Sequence, residues 1–154
     1  MVELPERIVM DPEILEGRPV LKGTTILVKF VLDRLAAGES ATDLLRTHPG
    51  TSREGILDCL YFASQVVSEY RSLPDPGSIP LPARIAVSPE IVFGKPRIEH
   101  TRLAVELILE MLSGGQTEAE MLHNYPRIAR ADLLACIRLG ALMVRAHKPA
   151  ATLA

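Results

Sequence analysis

The side chains with chemistry to offer are four histidines, two cysteines and several paired charges. His48, His100, His123 and His147 never stand beside a Cys, Asp or His at ligand spacing, and no glycine-rich phosphate loop or nucleophile elbow accompanies them. Cys59 and Cys136 lack His or Cys partners a few residues away, so both read as small buried helix residues and not as a zinc or disulfide site. Glu13 and Glu90 read as turn carboxylates. No catalytic residue, metal or cofactor is expected. Arg18 and Lys95, each between a Gly and a Pro, read as solvated charge, with phosphate binding at an exposed turn as the alternative. The residues chosen for nucleic-acid contact are Arg53, Arg127, Arg130 and Arg138. Arg53 and Arg130 fall in the first turn of an expected helix, where a side chain can reach base edges or phosphate. Arg127 and Arg138 add charge to the second half, whereas Glu54 and Asp58 subtract it from the first.

The elements that position these residues are written twice. An offset of 77 aligns Arg7–Val67 with Arg84–Val144 without a gap. It pairs Pro12 with Pro89, Gly17 with Gly94, Pro19 with Pro96, Gly38 with Gly115, Pro49 with Pro126 and Arg53 with Arg130. Proline fixes φ and glycine opens positive φ, so recurrence of both in one register means that the turns are repeated as well as the composition. The expected organisation is a first repeat over 1–70, a proline-rich linker over 71–83, a second repeat over 84–147 and a tail over 148–154. Units of about 60 residues bury only about 60% of their unfolded surface, so each repeat is expected to lean on the other.

Within each repeat, short β runs precede three helices. Val28, Val31, Leu32 and Leu35, repeated by Val105, Ile108, Leu109 and Leu112, have helical spacing and predict a helix over about 27–37 and its twin. Ser40 with Asp43, and Thr117 with Glu120, mark a short second helix that ends before Pro49 or Pro126. Thr51 with Glu54 is the expected cap of the third helix; its twin has Ile128-Ala129 there and is expected to fray or to be held by packing. Glu99-His100 replaces Lys22-Gly23, which argues against a turn requiring glycine. The two apolar stripes are available to seal each other.

Net charge is −2; residues 1–83 hold 8 basic and 12 acidic side chains, residues 84–154 hold 9 and 7. The second half is the better candidate for an anionic partner. No stretch approaches the roughly 20 apolar residues of a membrane span, and the N-terminus lacks the basic-then-apolar layout of a signal peptide. A cytoplasmic protein is expected.

A short helix, a turn around proline and a longer helix form the layout of a helix-turn-helix unit. The order Asp11-Pro12-Glu13-Ile14-Leu15, Gly17, Pro19, Gly23-Thr24, an aliphatic helix, a glycine and a capped helix ending at His48-Pro49 resembles the domain of unknown function numbered 433. The resemblance covers both repeats and departs in the second at Ser88, Arg97 and His100. It implies a VapB-type antitoxin-like protein with homeodomain-like three-helix cores, operator DNA and a PIN-like ribonuclease toxin as partners, and a chain that is already a pseudo-dimer. The fold expectation is mainly α with minor β, in two tandem helix-turn-helix domains. The competing functional reading is a protein-interaction or assembly module without DNA binding.

Overall fold

The computed structural model describes residue 2 and residues 4–147; the tail over 148–154 lies outside them. The fold is mainly α with minor β, in two repeats. The first contains β1 (Ile8–Val9), β2 (Val20–Leu21), α1 (Val28–Ala36), α2 (Ala41–Thr47) and α3 (Arg53–Ser68). The second contains β3 (Ile85–Ala86), β4 (Arg97–Ile98), α4 (Val105–Ser113), α5 (Glu118–Asn124) and α6 (Arg130–Ala146). Each strand pair is antiparallel, and the register of Ile8 on Leu21 recurs as Ile85 on Ile98.

The turns repeat to the level of single bonds. Thr24 Oγ1 donates to the Leu21 carbonyl and accepts from the Ile26 amide, and Thr101 does the same between Ile98 and Leu103. The first amide of α1 donates to the Pro19 carbonyl at 3.0 Å and that of α4 to Pro96 at 2.9 Å. This backbone bond satisfies an N–H that no capping side chain reaches. At the glycine turn the sequence expectation fails: His100 keeps the left-handed conformation of Gly23, with φ of 64° against 79°. Its Cβ makes that conformation costly, by about 1–3 kcal/mol, and the common Thr24/Thr101 bonds hold it.

Caps define the helix starts. Ser40 and Thr117 each form reciprocal capping boxes with Asp43 and Glu120. The cap of α3 is Ser52, which accepts from the Gly55 amide at 2.9 Å, while Thr51 instead donates to the His48 carbonyl. At α6 the missing hydroxyl is offset by Asp132, whose carboxylate accepts from the Ala129 amide at 2.8 Å.

The apolar stripes do not seal each other. That of α1 packs on α6 and that of α4 on α3, so each first helix belongs to the core of the other repeat, and α3 packs against α6 between them. Val28, Val31, Leu32, Val105, Ile108 and Leu109 are all fully buried in one continuous hydrophobic cluster. The crossing of α3 and α6 lies where a methyl on Gly140 would come within 3.0 Å of Ala63 Cβ. Positions 63 and 140 are repeat equivalents, so the pseudo-two-fold axis passes between them. The arrangement is isologous, as in a symmetric dimer, but within one chain. The linker adds two 3₁₀ turns, Tyr70–Ser72 and Pro76–Ser78, and Tyr70 is buried, with its hydroxyl donating to the Pro76 carbonyl at 3.2 Å.

Candidate functional site

From their crossing point, α3 and α6 run back to starts that line one groove of roughly 500 Å³. Its floor is apolar, built from Leu57 and Leu60 of α3 and from Leu134 and Ile137 of α6. Those residues are one turn apart on matching faces, which is why equivalent side chains meet across the axis. Arg53, Gln116, Glu118 and Arg130 stand around it, and the Gln116 side-chain oxygen is buried without a hydrogen-bond partner.

The two leading arginines are placed symmetrically but used differently. Arg130 donates from Nε to Glu118 at 2.8 Å and from a terminal nitrogen to the Gly38 carbonyl at 3.0 Å. Gly38 follows the end of α1, where exposed carbonyls carry the negative end of the helix dipole, so the guanidinium ties the repeats together by favourable electrostatics. Arg138 makes a weaker approach to the Ala36 carbonyl at 3.4 Å. Arg53 reaches the equivalent position beside Gly115. The residue matching Glu118 is Ala41, however, so Arg53 has no ion pair among the described residues and stays exposed. Arg127 is elsewhere, exposed in the turn between α5 and α6 and near Arg102. The structure therefore brings Arg53 and Arg130 to one groove and leaves Arg127 outside it. Arg97 and Arg102 were missed by the sequence reading. Their signal was present in the repeat register, where Val20 and Thr25 are the counterparts.

Neither cysteine offers a nucleophile at neutral pH. Both are buried in the core, and burial first, then the neighbouring Asp58 or Asp132, pushes each thiol far above its ordinary range. Among the described residues no group of three His, Cys, Asp or Glu side chains is placed to hold a metal, and no helix is long and apolar enough to cross a membrane.

The geometry also constrains any reading of α3 and α6 as paired recognition helices. Arg53 and Arg130 each lie ten residues from the crossing at Ala63 and Gly140; at about 1.5 Å per residue that is about 15 Å. Two helix starts that also line one groove fall short of the ~34 Å between successive major-groove half-sites.

A family profile described as protein of unknown function (DUF433) matches the sequence twice, over residues 8–63 and 85–139. No curated protein matches the chain, and no solved structure does.

Proposed function

The chain belongs to the DUF433 family, and from that premise we propose that it is a non-catalytic interaction module whose groove between α3 and α6 receives a segment of a partner protein. The observation that carries this reading is the groove itself: an apolar floor of Leu57, Leu60, Leu134 and Ile137 on the pseudo-two-fold axis, edged by Arg53 and Glu118. Leu57 and Leu134 remain partly exposed there, and an apolar cleft with a polar edge suits an amphipathic segment. In the antitoxin-like form of the proposal the partner is a PIN-like ribonuclease. The test is titration calorimetry of the full chain with the purified product of the adjacent reading frame. Binding that Leu57→Arg and Leu134→Arg abolish, with the circular dichroism spectrum unchanged, supports the proposal; no binding by the wild-type chain contradicts it.

Operator DNA is the second reading, favoured by Arg127, which is exposed in the turn of the second helix-turn-helix unit and has no acidic partner among the described residues. One unit would then dock at a time, since the two helix starts are too close for successive half-sites. Phosphate neutralisation requires affinity to fall as salt rises. Anisotropy with a promoter-region duplex, repeated with Arg127→Ala, tests this: salt-sensitive binding weakened by the substitution supports it, and absence of binding at low salt removes it.

A further inference from the structure

A second cavity, of roughly 740 Å³, opens between the β4 turn and the α5–α6 turn of the second repeat. Its lining includes Arg97, His100, Arg102 and Arg127, together with Asn124 and Tyr125, and, among the described residues, no acidic side chain. The repeat supplies an internal control. At the equivalent positions the first copy has Val20, Gly23, Thr25 and Gly50, so four basic or ionisable groups have been placed around one cavity in only one of two homologous halves.

Arg97 is the decisive member. It is 7% exposed, yet it forms no ion pair among the described residues. Its terminal nitrogens donate to the Thr101 carbonyl and the Ser88 hydroxyl, both at 3.3 Å, and its Nε is buried with no partner. Removing a guanidinium from water without a counter-charge is strongly unfavourable, and neutral acceptors at long distance recover little of that cost. Arg102 and Arg127 also lack carboxylate partners among the described residues, so they add like-charge repulsion. A fold that tolerates this arrangement gains when an anion enters. Guanidinium groups match the oxygens of a phosphoryl group in charge and in forked geometry. The cavity has the volume of small-ligand sites, while Tyr125, Ile91 and Leu103 provide an apolar wall for the remainder of the ligand.

We propose that this cavity is a binding site for a phosphorylated small ligand of mononucleotide size, with Arg97 at its floor and Arg102 and Arg127 at its mouth holding the phosphoryl group. The site is separate from the groove between α3 and α6 and does not depend on the partner proposed for that groove.

The test uses the full chain at matched ionic strength, with thermal melts and calorimetry against inorganic phosphate, adenosine monophosphate, adenosine and chloride. Phosphate and the monophosphate should raise Tm saturably, and adenosine and chloride should not. The Arg102→Ala/Arg127→Ala pair should weaken binding at least tenfold while leaving the anion-free Tm unchanged or higher. Arg97→Val, which installs the first copy's residue, should abolish the response; if that variant does not fold, the double variant decides. A phosphate effect no larger than that of chloride, or one that persists in the double variant, overturns the proposal. A duplex oligonucleotide that displaces the monophosphate and binds much more tightly through Arg102 and Arg127 overturns it too, because the phosphoryl group would then be nucleic-acid backbone.

Discussion

Arg53 and Arg130 are alike in sequence and unlike in use, because Glu118 stands where the first repeat has Ala41. Arg130 is fastened to Glu118 and Gly38, so its first role is to join the repeats. Arg130→Ala should lower stability by about 1 kcal/mol, a modest figure because the side chain is half exposed and solvent screens the pair. Arg53→Ala should be near neutral, and urea unfolding of the two variants compares them directly. A sharper test lies at the crossing. Gly140→Ala puts a methyl 3.0 Å from Ala63 Cβ and 3.4 Å from a Leu109 methyl. Overpacking of this kind costs about 1–3 kcal/mol. Ala63→Gly in the same chain should restore part of the loss, which a double-mutant cycle would detect as coupling. The sequence displayed both arginines, but not their partners. The Gly38 carbonyl that Arg130 reaches comes from the other repeat, and a one-dimensional register cannot show which copy's α1 will end beside α6.

The helices and turns were the most legible level. The spacing of Val28, Val31, Leu32 and Leu35 located α1, and the hydroxyl–carboxylate pairs located α2 and α5 because these signals are local. The misread starts have equally local causes. Ser52 is one residue closer to α3 than Thr51, and Asp132 reaches back to the Ala129 amide from inside α6. Ser52→Ala should therefore cost about 1 kcal/mol, measured by denaturant unfolding, and Thr51→Val should act by releasing the His48 carbonyl and not as loss of a cap. The capping boxes also predict a pH dependence. Bonds from the Thr117 backbone, then its side chain, hold the Glu120 carboxyl below its ordinary value, and bonds from the Ser40 side chain, then its backbone, hold that of Asp43 down. A depressed carboxylate pKa stabilises the fold above the unfolded-state value, and that stabilisation is lost as pH falls through the folded-state value. Glu120→Gln should accordingly reduce stability near pH 7 and converge with wild type in acid, as read from unfolding curves across that range.

At the scale of the molecule, the repeat showed that there are two copies but not that they exchange helices. Two apolar stripes on two first helices are compatible with a side-by-side pair and with an interlocked one. The difference is decided by shape at Ala63 and Gly140, where small residues let α3 and α6 approach closely and leave room for α1 and α4 on opposite flanks. The cationic cavity illustrates the same limit, since its arginines come from a turn and a strand that only folding brings together. Both the groove and the cross-repeat bond of Arg130 to Gly38 depend on the interlock. The most direct measurement is to place a protease site at the exposed Pro80-Leu81 step of the linker, cleave the folded chain, and follow the fragments by sedimentation during denaturation. The two pieces should stay together as a 1:1 complex and separate only as both unfold in one transition. Separation into two folded monomers before unfolding would contradict the interlock.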